Sequence, residues 1–66
     1  MKYNIGDLFV SKYNKVLLLI LKVEDGKIWT ERYDKNIHKL IQSCYRDTEI
    51  EGYILRDTWQ HFPVKE

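Results

Sequence analysis

An Asp-Gly pair, Asp25-Gly26, stands between two β-prone runs, Val16 to Val23 and Ile28 to Tyr33, and no other feature constrains the fold as tightly. Both central residues of the favoured two-residue hairpin turn take positive φ, which Gly accepts freely and Asp tolerates, so the pair predicts an antiparallel hairpin. Val16 to Val23 is apolar on both alternating faces except at Lys22, the pattern expected of a central strand covered on both sides. In the returning strand, alternation puts Trp29, Glu31 and Tyr33 on one face and Ile28, Thr30 and Arg32 on the other.

The remaining elements follow from turn and capping chemistry. Gly6-Asp7 reads as a turn feeding a first strand, Leu8-Phe9-Val10, with Tyr13-Asn14-Lys15 and Asp34-Lys35-Asn36 as later polar turns. Ile37 to Tyr45 fits two readings. Ile37, Leu40, Ile41 and Cys44 have helical spacing, whereas Ile37, Ile41 and Tyr45 share one face of a strand. The strand is preferred, because Thr48-Glu49-Ile50-Glu51 forms a capping box that starts a helix afresh after Asp47. That helix, about 48–57, carries Ile50, Tyr53 and Ile54 as its apolar stripe, and Gly52 costs it about 1 kcal/mol relative to alanine. Trp59 to Val64 regains β character, and Pro63 confines this last strand to an edge or to a point where no ladder donor is needed.

The expected fold is therefore mainly β (α+β by count), one domain over residues 1–66, with about five antiparallel strands and one short helix before the last strand. This order resembles the SH3-like small barrels, in which a helical turn separates the last two strands; Ile5-Gly6-Asp7-Leu8-Phe9 adds to the likeness. A second resemblance is to small accessory proteins encoded in phages and prophages of low-GC bacteria. It is carried by the Gly6-Asp7-Leu8 opening and the Trp59-Gln60-His61-Phe62-Pro63-Val64 ending. The absence of alanine and the wealth of Lys, Asn, Ile and Tyr, residues with AT-rich codons, agree with such a source. What the resemblance implies is a context, a phage accessory protein in the host cytoplasm, and not a reaction.

Size limits what the chain can do. Sixty-six residues bury only about 60% of the surface exposed on unfolding, so the margin over chain entropy is thin. Cys44 is the only cysteine and forms no internal disulfide, and Cys44, His38 and His61 lack the paired spacing of a zinc site. Self-association is then the available source of further apolar burial, and a homo-oligomer is expected. The longest apolar run, Val16 to Leu21, is far short of the roughly 20 residues that span a bilayer. Met1-Lys2-Tyr3 opens no signal peptide, so a cytoplasmic protein with no membrane partner is expected.

Three function classes compete. Catalysis would pair Cys44 with His38 or His61, but a lone cysteine on a core-facing strand reads as a small hydrophobe, and so small a core hardly encloses a reaction; no enzyme activity, cofactor or metal is expected. Nucleic-acid binding by an SH3-like domain is the alternative reading, since Trp29, Arg32, Tyr33, Lys35, Tyr45 and Arg46 interleave aromatic and basic residues. Against it, 11 basic residues are balanced by 10 acidic ones, where phosphate-dominated affinity asks for a positive excess. The favoured class is a non-enzymatic binder that inhibits or sequesters a host protein or a small anionic nucleotide signal. Trp29, Trp59, Tyr13, Tyr33, Tyr45 and Tyr53 exceed what this core can bury whole, and interface hot spots are rich in Trp, Tyr and Arg. Trp29, Arg32 and Tyr33 are the expected contact cluster, Arg32, Lys35 or Arg46 would meet the phosphate of a nucleotide held between subunits, and Tyr45, Trp59 and His61 complete the candidate binding residues.

Overall fold

The computed structural model describes residues 2–64. Five strands, β1 (Leu8–Ser11), β2 (Leu17–Glu24), β3 (Lys27–Asp34), β4 (Lys39–Arg46) and β5 (Trp59–Phe62), form one antiparallel sheet in the order β4-β3-β2-β1-β5. One helix, α1 (Asp47–Leu55), separates β4 from β5 and packs on both. The mainly β fold with a short helix before the last strand is thus as expected. The barrel is not closed: the two edge strands do not pair among the described residues. Aromatic packing fills the gap instead. Trp59 of β5 stacks on Tyr53 of α1 with centroids 4.6 Å apart and meets the edge of Tyr45 of β4 at 5.3 Å.

The hairpin is formed as the Asp-Gly pair requires, with φ of 51° at Asp25 and 72° at Gly26 between the paired residues Glu24 and Lys27. The ambiguous segment is a strand, pairing with β3 from Asp34↔Lys39 to Lys27↔Arg46, while Ile37 lies in the preceding turn. Pro63 follows directly on β5, which is an edge strand.

Three local readings are corrected. First, β2 is central but not covered on both sides. Leu18 and Ile20 are buried, while Leu17 and Leu19 face outward and stay exposed, because α1 packs on the inner side. Leu21 is an extra residue between the pairs Ile20↔Thr30 and Lys22↔Trp29. This bulge switches the inward parity, so that Val23, opposite the buried Ile28, packs on the core.

Second, the helix begins two residues earlier than the Thr48–Glu51 box places it. Arg46 is the N-cap, and its backbone N–H donates to Glu49 Oε1 at 3.2 Å. The chain has already turned there, because the β3–β4 ladder runs through Arg46 and the Asp47 N–H donates to the Gly26 carbonyl at 2.9 Å. Glu51 is engaged elsewhere, accepting from the Tyr3 hydroxyl at 3.0 Å and pairing with Lys2 at 2.7 Å. Third, Cys44 is exposed on the outer face opposite Trp29 and is not a core hydrophobe.

The core consists of Tyr3, Phe9, Leu18, Ile20, Ile28 and Ile50, with Val16, Val23, Tyr45, Ile54 and Trp59 packed around it. No helix among the described residues is long and apolar enough to cross a membrane.

Candidate functional site

Antiparallel pairing brings the β1–β2 and β3–β4 connections to the same end of the sheet, since the start of β2 lies beside the end of β3. Between them lies an open cleft of about 470 Å³. Asn14, Lys15, Val16 and Leu17 form one wall and Arg32, Tyr33, Asp34, Lys35 and Asn36 the other. Local chemistry fixes both loops. The Val16 N–H donates to Asn14 Oδ1, and Lys15 holds a left-handed φ of 59° while its N–H donates to the Ser11 carbonyl at 2.9 Å. Across the cleft, Asp34 Oδ1 accepts from the Asn36 N–H at 2.9 Å, an Asx turn that orders the Lys35 loop.

Three cations face one carboxylate here. Arg32 is half-buried and lies 3.6 Å from Asp34 Oδ2, so the carboxylate is already shared between a guanidinium and a backbone donor. Lys15 and Lys35 are exposed and have no ion-pair partner among the described residues. The Tyr33 hydroxyl is 3.0 Å from His38 Nδ1, which holds its ring at the rim. The cleft can therefore receive an anion, with amides at Asn14 and Asn36 and an aromatic edge beside the charges.

Of the eight candidate binding residues, the structure brings Arg32, Tyr33 and Lys35 together. The expected cluster of Trp29, Arg32 and Tyr33 is divided. Arg32 pairs with Ile41 on the inner side, while Trp29 lies on the outer face four residues from Tyr33, about 13 Å along the strand. Trp29 is half-buried under the Lys22 ammonium, 4.8 Å from its ring centroid. Arg46 is exposed at the opposite end of the sheet, at the start of α1. Tyr45 and Trp59 pack against each other in the core, and Trp59 also meets Phe9 at 5.6 Å. His61 turns inward between Tyr3 and Phe9, where Nε2 lies 2.7 Å from Asp7 Oδ2.

That last contact belongs to a cluster the sequence reading missed. Asp7, taken there as a turn residue, is fully buried and also accepts from the backbone N–H groups of Asn4 at 3.1 Å and Val64 at 2.8 Å. Burial pushes its carboxyl up, but Val64, His61 and Asn4 together outweigh that and hold it below the usual carboxylate range. Tyr3 is raised to about 12 by burial and by its bond to Glu51. Glu51 in turn is lowered by Lys2 and by the Tyr3 hydroxyl. The signal for the Asp7 cluster was present, since an Asp precedes the first strand and a His lies in the last. Only the β1–β5 pairing, with Phe9 opposite His61, makes them neighbours. Lys15 and Asn14 were likewise read as turn residues only, because nothing in the sequence shows that their loop faces Lys35.

Comparison of the chain with protein-family models, curated proteins and solved structures finds no match.

Proposed function

We propose that this chain is a non-enzymatic binding protein of the phage accessory type, which sequesters a small phosphorylated ligand, of the kind a host uses as a nucleotide signal, in the cleft between its β1–β2 and β3–β4 connections. The observation that carries this reading is the meeting of Lys15, Arg32 and Lys35 around one cleft whose single carboxylate is already engaged. A volume of about 470 Å³ suits a mononucleotide, since small-molecule sites commonly run from about 300 to 1,000 Å³. Phosphate would lie between the lysines and the guanidinium. The chain's net charge of +1 is then no obstacle, because the excess need only be local.

The test is a titration followed by amide chemical shifts, with inorganic phosphate, nucleoside mono- and diphosphates and a single-stranded oligonucleotide as probes. Shifts confined to residues 14–17 and 32–36, saturating with a nucleotide and lost in Lys15→Glu and Lys35→Glu, are expected. Charge reversal at either lysine should weaken binding by about tenfold, the scale of one charge-assisted contact. No shift in the cleft with any phosphate probe would sink the reading. Tight oligonucleotide binding that collapses as salt rises would replace it with the nucleic-acid reading.

A further inference from the structure

We infer that the outer face of the sheet is an interface between two copies of this chain. The cross-strand registers assemble that face. Phe62, Leu8 and Leu19 lie side by side across β5, β1 and β2, and Leu17 sits one step along β2 in line with Val10. Tyr33 and Leu40 form a directly opposed pair on β3 and β4. Leu17, Leu19, Tyr33, Leu40 and Phe62 are between 38% and 63% exposed. Half of the exposed large hydrophobic side chains among the described residues thus fall on this one face.

The area fits a second copy. Together with the half-buried Leu8 and Val10, these side chains offer about 600 Å² per copy, near the roughly 800 Å² per partner of a standard stable interface. That is at the upper end of what a monomer exposes in one patch. Among the described residues six apolar side chains are buried in the inner core, and five large ones stay exposed on the outer face.

Charge favours self over a charged partner. Lys22, Lys27 and Arg46 share this face with Glu24 and Glu31; Lys22 pairs with Glu24 at 3.0 Å, while Lys27 lies opposite Arg46, so the face carries both signs and a two-fold axis can set Glu31 of one copy against the Lys27–Arg46 pair of the other. Leu17 and Tyr33 also line the cleft, so each cleft would abut the interface. The inference stands whether or not the cleft binds phosphate.

Sedimentation equilibrium of the full chain over a concentration series tests it. A species of twice the 8.0 kDa chain mass is expected, dissociating on dilution. Leu40→Lys and Leu19→Lys, at positions already partly solvated, should keep the native far-UV spectrum and weaken the dimer by at least about tenfold, as loss of an interface anchor does. Leu55→Lys, on the exposed side of α1, should leave the dimer unchanged, as should Lys35→Glu, which separates this inference from the ligand reading. If either outer-face variant fails to fold, methyl shifts of Leu19 and Leu40 in the unmodified chain, expected to move on dilution, decide the matter. A chain that stays monomeric at every concentration overturns the inference and leaves the face to a different protein. A dimer that survives both outer-face substitutions overturns it as well, by placing the contact elsewhere.

Discussion

Asp7 shows how much one residue can carry in a domain this small. Its carboxylate accepts from His61 and from two backbone amides, those of Asn4 and Val64, and so ties the entry of β1 to the chain leaving β5. Removing it deprives the half-buried His61 ring and the N–H groups of Asn4 and Val64, both exposed residues, of this partner, and a donor left unsatisfied in a buried position costs about 1 to 3 kcal/mol. A chain of 66 residues has a total stability of roughly 3 to 10 kcal/mol. Asp7→Ala should therefore cost about 2 to 4 kcal/mol, a large share of that total, read as a lowered melting temperature. The pH dependence follows from the lowered carboxyl. The Asp7 contribution is complete above the unfolded carboxylate value of about 3.9 and is lost as pH falls through the lower folded value. Urea midpoints of the wild type and Asp7→Asn should accordingly differ most at neutral pH and converge in strong acid. In the sequence, Asp7 looked like a turn former, and it does close a turn, its N–H donating to the Asn4 carbonyl at 3.0 Å. Its larger role depends on residues more than 50 positions away, which local pattern cannot supply.

At the scale of elements, the strands were legible because their signals are local. The Asp25-Gly26 turn, the restart of structure at α1 and the stop at Pro63 each depend on a few adjacent residues. The end of α1 is similar. The Thr58 N–H donates to the Tyr53 carbonyl and the Asp57 N–H to that of Ile54, a Schellman cap, with Asp57 at φ 61° where glycine is usual. An L residue is strained there, and the exposed Asp57–Lys12 ion pair offsets little of it. Asp57→Gly should raise stability by about 0.5 to 1 kcal/mol, read as an increased urea midpoint at unchanged m-value. The bulge at Leu21 was not legible. An unbroken apolar run has no parity to read, so the switch from even to odd inward positions appears only once β3 fixes the register.

On the scale of the whole molecule, one face of the sheet is closed and the other is not. The inner face is sealed by α1 and by Trp59, whose ring touches Phe9, Tyr45 and Tyr53 and so links four elements. Trp59→Ala should cost about 3 to 5 kcal/mol, because it opens a cavity where the two sheet edges approach without pairing. Near-UV circular dichroism, which reports fixed aromatic packing, should lose its signal in step with the melting temperature. The outer face keeps its leucines and Tyr33 uncovered. If two copies cover it, the melting temperature should rise with protein concentration, since only the folded chain associates.

The sequence by itself determined the class of fold, the positions of the strands and the helix, and the residue types available for binding, because these rest on backbone preference, side-chain alternation and chemistry within a few positions. Tertiary structure decided which of those residues meet. It turned Trp59, Tyr45 and His61 into packing and hydrogen-bonding residues, separated Trp29 from Arg32, and set Lys15 beside Lys35 across a cleft. The reason is geometric. A strand shows which side chains share a face, but only the register of its neighbours, and the way five short strands curl around one helix, sets the distance between residues from different strands.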